Sequence, residues 1–133
     1  MPTDVCIPIR ADGDILAARQ AGRSIASSLA FSPSDLTVIA AAISEVARNI
    51  LVYALQGEVQ LAVTEQNGRR GVTVIARDDG PGIADVTLAL QDGFSTSGSL
   101  GLGLPGARRL MDDFAIQSEM GRGTVITMRK WAR

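Results

Sequence analysis

Glu45 and Asn49 stand four residues apart in a segment where Leu36, Ile39, Ile43, Val46 and Ile50 recur at helical spacing, so the two polar side chains share one side of a helix, beside its apolar stripe. An amide oxygen can ligate Mg²⁺, which prefers oxygen donors and keeps several waters and phosphate oxygens. A carboxylate one turn away can orient or deprotonate a hydroxyl or a water. A solvated Glu/Asn pair on an exposed face is the plainer reading of these two residues alone. Asp78-Asp79-Gly80-Pro81-Gly82 follows an alternating apolar run and opens a glycine-rich stretch. A carboxylate at a strand end can accept hydrogen bonds from an amino group, and the glycines let a flat ring approach the backbone. Asp-Gly-Pro-Gly is also ordinary turn chemistry. Gly98-Ser99-Leu100-Gly101-Leu102-Gly103 leads into a further helix, where backbone amides and a helix N-terminus can cradle phosphates. Gly101, Gly103 and Gly106 match the dinucleotide-binding GxGxxG, but that motif follows a strand in a βαβ unit and this one follows a Ser/Gly/Thr-rich loop. Gly123-Thr124 opens a last strand, and its hydroxyl could assist Asp78 in holding a base.

The elements that must position these residues are legible as a pattern. Val5, Ile7 and Ile9 alternate with Cys6 and Pro8, predicting a short strand that Pro8 places at a sheet edge. Ile15, Ala18, Gly22, Ile25 and Leu29 predict a helix from Asp14 to about Leu29. Ser32-Pro33-Ser34-Asp35 is a helix start, with a capping serine, a proline at the first helical position and an acid at the positive end. Val59/Leu61/Val63 and Val72/Val74/Ala76 alternate on either side of Asn67-Gly68, predicting an antiparallel hairpin with a somewhat longer turn. Leu104, Ala107, Leu110 and Met111 predict a helix with Pro105 in its first turn, and Phe114 to Ser118 and Thr124 to Lys130 a final strand pair. The order describes one α+β domain over residues 1–133: a two-layer α/β sandwich, with helices on one face of a mostly antiparallel, mixed sheet and a long glycine-rich loop at about 82–103.

Composition narrows the chemistry further. The 133 residues carry a formal net charge of −1, 46% hydrophobic residues and no histidine. His triads, His metal sites and a phosphorylated histidine in this chain are thereby excluded. Lys130 is the single lysine, near the C-terminus, which disfavours the nucleotide schemes that need an internal lysine on the phosphates. With no long cationic run, nucleic acid is not expected as a partner. The apolar run Val38 to Ile43 is far short of the ~20 residues of a membrane helix, and Met1 to Arg10 does not read as a leader. With a lone cysteine, Cys6, the expected compartment is the cytoplasm.

In order and spacing, Glu-x-x-x-Asn on a helix, Asp-x-Gly-x-Gly after a strand, a long lid, Gly-x-x-Gly-x-Gly before a helix and Gly-Thr on a final strand resemble the Bergerat ATP-binding (GHKL) superfamily of gyrase, histidine kinases and MutL. At finer grain AARQAGRSIA, AISEVARNI, DDGPGI, DGFSTSGSLGLGLPGARRLMDDF and the closing KW-x-R resemble the RsbT-type serine/threonine switch kinases of the stressosome. The resemblance implies ATP and Mg²⁺ as cofactors. It makes Asn49 the ligand of a Mg²⁺ bridging the ATP phosphates and Glu45 the catalytic base acting on a substrate serine or threonine. Asp78 would bind the adenine amino group with Thr124 beside it, Gly80 and Gly82 would line the base, and Gly98, Gly101 and Gly103 would close around the phosphates. Arg108 or Arg109 would meet the transferred phosphoryl group; the sequence does not choose between them. The implied partners are a STAS-domain substrate and antagonist, a STAS scaffold, and a metal-dependent serine/threonine phosphatase bound after release. An anti-sigma factor with kinase activity towards its own antagonist has almost the same motifs and is the alternative.

Overall fold

The computed structural model describes residues 4–80 and 103–132. Among these the elements are β1 (Val5–Ile9), α1 (Asp12–Ser27), α2 (Pro33–Tyr53), β2 (Gly57–Gln66), β3 (Arg69–Asp78), α3 (Gly103–Leu110), β4 (Asp113–Glu119) and β5 (Gly123–Trp131). The five strands form one sheet in the order β1-β2-β3-β5-β4. Every pairing is antiparallel, so the mixed sheet expected from the sequence is antiparallel throughout the described residues.

Local chemistry accounts for the boundaries. Asp14, already inside α1, accepts the backbone N–H groups of Arg10 (2.8 Å) and Ala11 (3.0 Å), so the helix starts two residues before the expected position. Ser32 Oγ accepts the Asp35 N–H at 3.1 Å, with Pro33 in the first turn, and α2 runs from there for 21 residues. Gln66 pairs directly with Arg69, which leaves Asn67 and Gly68 as a two-residue turn with φ of 53° and 77°. The hairpin is therefore tighter than expected, in the left-handed backbone geometry that Asn-Gly favours. β1 is an edge strand, as Pro8 requires.

Alternation divides the sheet. Val59, Leu61, Val72, Val74, Ala76, Ile126 and Met128 turn one face into the core, where they meet Ile39, Ile43, Val46 and Ile50 of α2. Helix α1 crosses α2 at Gly22, where a Cβ would lie 2.2 Å from Ile43 Cδ1. By length and hydropathy α2 could cross a membrane, yet seven of its residues are buried inside this domain. It is the central core helix, and its polar interruptions are the residues with candidate chemistry. The expected lid lies outside the described residues except for Gly103, which begins α3.

Candidate functional site

Asp78 ends β3 and lies in register with Thr124 of β5, itself opposite Ser118 of β4. Both Asp78 (7% exposed) and Thr124 (4%) are buried polar residues. The Gly80 N–H donates to Asp78 Oδ1 at 3.0 Å, and the Thr124 backbone N–H also reaches the carboxylate. Burial pushes the Asp78 carboxyl above its usual range, and these two backbone donors partly offset the shift. A carboxylate offers about four lone-pair sites, so two N–H donors leave capacity for an external amino group.

The surrounding glycines are there for want of room. A Cβ on Gly80 would lie 2.5 Å from Ala54 Cβ, and one on Gly57 2.4 Å from the Arg77 carbonyl oxygen and 3.1 Å from Asp78 Cβ. Gly123, at φ +99°, leaves only 2.1 Å between such a Cβ and the Asp78 carbonyl oxygen. The C-terminal end of α2 thus runs closely past Asp78. Thr124 assists Asp78 through its backbone, while its hydroxyl is 2.9 Å from Ser118 Oγ, which also donates to the Gly123 carbonyl (3.2 Å). Ser118 escapes a reading of the sequence, because only the β4–β5 register brings it here.

Upstream on α2, Glu45 and Asn49 are half-buried. At 1.5 Å per residue, Glu45 lies roughly 13 Å along the helix from Ala54, which touches Gly80. Asp78 and Glu45 therefore stand towards opposite ends of this stretch of α2. Each residue turns the helix by roughly 100°, which puts Asn49 roughly 40° to one side of Glu45 and Arg48 roughly 60° to the other. Arg48 Nη1 is 3.3 Å from Glu45 Oε1. Both line an open groove of about 600 Å³ between α1 and α2, with Ile15, Leu16 and Arg19 on the facing wall; Asn49 is outside that lining. Glu45 therefore stands between a groove and the side of the helix that carries Asn49.

Gly103 is the first residue of α3, and Arg108 and Arg109 are both exposed in its last turn. Gly82, Gly98 and Gly101 lie outside the described residues. Among the described residues no cluster of three His, Cys, Asp or Glu side chains could hold a metal. A cation here would depend on Asn49 and on oxygens that a nucleotide brings.

An antiparallel sheet backed by helices, a buried carboxylate at a strand end and a Glu-x-x-x-Asn helix define a nucleotide-binding domain. Residues 9–130 match the histidine kinase-like ATPase domain, and the chain belongs to that family. Within it, the serine/threonine-protein kinase RsbT of Bacillus subtilis (strain 168) is 48% identical over 128 residues, spanning 96% of each chain. An anti-sigma F factor of Geobacillus sp. (strain WCH70) is 30% identical over 104 residues, covering 73% of this chain and 70% of its own. At that likeness to RsbT over nearly the whole length, the protein is an ATP-dependent serine/threonine protein kinase of the partner-switching kind. The fold is shared with solved structures, among them the following two. The RsbU and RsbW domains of a Mycobacterium tuberculosis protein match with a TM-score of 0.65 at 20% identity, over 98% of this chain and 33% of that one. The SiaB–SiaC complex from Pseudomonas aeruginosa matches with a TM-score of 0.58 at 15% identity, over 96% and 89%.

Proposed function

We propose that the kinase transfers the ATP γ-phosphate to a serine or threonine of a STAS-domain protein, with Asp78 holding adenine, Asn49 ligating Mg²⁺ and Glu45 acting as general base. The observation that carries this reading is the placement of two carboxylates along α2. Asp78 is buried where a base would end, and Glu45 lines a groove open to a protein acceptor. Asp78 receives the adenine amino group on the acceptor capacity left by the Gly80 and Thr124 N–H groups. The missing Cβ at Gly80 lets the ring lie against the backbone. Mg²⁺, when bound, neutralises phosphate charge. Glu45 takes the proton from the acceptor hydroxyl as its oxygen bonds to the γ-phosphorus. The bond from that phosphorus to the β–γ bridging oxygen breaks, and ADP leaves. Such a transfer depends mainly on positioning and charge neutralisation, so no internal lysine is required. In this proposal Gly82 lines the base with Gly80, Gly98, Gly101 and Gly103 close around the phosphates, and Arg108 or Arg109 meets the transferred group.

In this reading the kinase is held by its STAS-domain antagonist or a STAS scaffold in the cytoplasm. Phosphorylation releases it to bind and activate a metal-dependent phosphatase. The relation to anti-sigma F factors keeps a second reading in view, in which the held partner is a sigma factor. The assay follows γ-labelled phosphate from Mg-ATP into a STAS-domain protein from the same organism, with Glu45→Gln and Asp78→Asn alongside. Acid-stable label on serine or threonine, lost in both variants, is the expected outcome. Tight ATP binding without transfer, together with capture of a sigma factor, would replace the stressosome reading with the anti-sigma one.

A further inference from the structure

Arg48 has no task in that reading, although it is ion-paired to the residue assigned as base. Its guanidinium lies 3.3 Å from the Glu45 carboxylate, and it is the more exposed partner, at 42% against 15%. The Glu45 side chain is 15% exposed, and the staggered positions about its side-chain bonds differ in which flank of the helix the carboxylate meets. A charged donor at i+3 selects among them. The direction selected is informative, because Arg48 lies on the groove side of Glu45 and Asn49 on the other. A carboxylate turned towards Asn49 would meet any cation that Asn49 ligates and become a metal ligand itself, a poor state for a base. Drawn towards Arg48, it faces the groove and any hydroxyl that enters it.

We propose that Arg48 is a positioning residue for phosphotransfer, holding the Glu45 carboxylate on the groove side of α2, where the acceptor hydroxyl arrives. The proposal rests on the assignment of Glu45 as base. A partly exposed ion pair contributes little to stability, so a purely structural role would leave turnover nearly unchanged. A role in gripping the acceptor would move KM for that protein, since Arg48 lines the groove together with Arg19 on α1.

The test measures kcat, KM for ATP and KM for the STAS-domain acceptor for Arg48→Ala, Arg48→Lys and Glu45→Gln, with melting temperatures for each. A lost general base costs about 10²–10⁴-fold, and a misdirected one should cost about ten-fold in kcat. Arg48→Ala is expected to show that loss with both KM values within about two-fold and melting unchanged. Arg48→Lys, which keeps the charge on a shorter reach, is expected to recover most of it. An unchanged kcat with a raised acceptor KM would make Arg48 an acceptor contact and overturn the proposal. So would a loss of kcat that tracks a loss of melting temperature. Normal turnover in Arg48→Ala beside a dead Glu45→Gln sinks Arg48 alone, whereas an active Glu45→Gln sinks the base assignment and the proposal with it.

Discussion

Asp78 is caught between two opposed influences, burial that favours its neutral form and backbone donors that favour its charge, and burial is the larger. A carboxyl raised in this way binds its proton more tightly in the folded chain than in the unfolded one. Its ionisation therefore costs stability as pH rises from the unfolded value, about 3.9, through the higher folded value, and that cost is absent below both. Asp78→Asn keeps the shape and one acceptor oxygen but has nothing to ionise. Melting curves should show wild type losing ground to Asp78→Asn as pH rises above about 4, superimposed on a constant offset. The opposite trend would mean that the N–H donors outweigh burial. The same variant should bind ATP at least about ten-fold more weakly, because an amide cannot reproduce the carboxylate's acceptor capacity. Titration with a fluorescent nucleotide reads this directly.

The approach of α2 to the end of β3 is fixed by Gly80, whose φ is not among the positive values, so alanine would be tolerated by its backbone and refused by its neighbours. Gly80→Ala should cost about 1–3 kcal/mol through overpacking against Ala54 and should weaken ATP binding. Ala54→Gly in the same chain should restore part of both losses, since it removes the nearer of the two Ala54 atoms in the way, and a double-mutant cycle measures that coupling. At the far edge, Asp112 accepts the Trp131 N–H at 2.8 Å and pairs with Lys130, which also donates to the Leu110 carbonyl at 3.0 Å and so caps α3. Asp112→Ala leaves these donors short of a partner and should cost about 1–3 kcal/mol in denaturant unfolding. This cluster gives Lys130 and Trp131 of the closing KW-x-R a structural use. It also marks how far the sequence could be read. Alternation at Val59, Leu61 and Val63, the Ser32-Pro33 cap and the spacing of Glu45 and Asn49 are local properties, and each predicted its element. The Arg48–Glu45 pair, the Ser118–Thr124 contact and the crowding at Gly80 depend on a chosen rotamer, a strand register and a tertiary approach, none of which is written in neighbouring residues. The tight hairpin was half legible, because Asn67-Gly68 names the turn but not how far the strands run into it.

At the scale of the whole molecule, one helix is both core and site: α2 buries Ile39, Ile43, Val46 and Ile50 on one side and carries Glu45 and Asn49 beside them. Packing and nucleotide binding must then be linked at least by mass action. Ile43 is fully buried where α1 crosses α2, so Ile43→Ala should cost about 2–5 kcal/mol, a large part of the ~5–15 kcal/mol typical of a domain. ATP that binds only the folded chain returns about 2.7 kcal/mol at a hundred times its Kd. Mg-ATP at that level should therefore raise the melting temperature of Ile43→Ala by several degrees, about as much as it raises that of wild type. Ile43→Ala combined with Asp78→Asn should show at most about half of this rescue, because ten-fold weaker binding leaves the ligand at about ten times its Kd, which returns about 1.4 kcal/mol. If wild type responds to ATP and Ile43→Ala does not, while Asp78 is intact, then mass action is insufficient. Ile43 would then be shaping the site through the position of α2, and the cavity would be felt at Glu45 and Asn49 as lost affinity rather than only as lost stability.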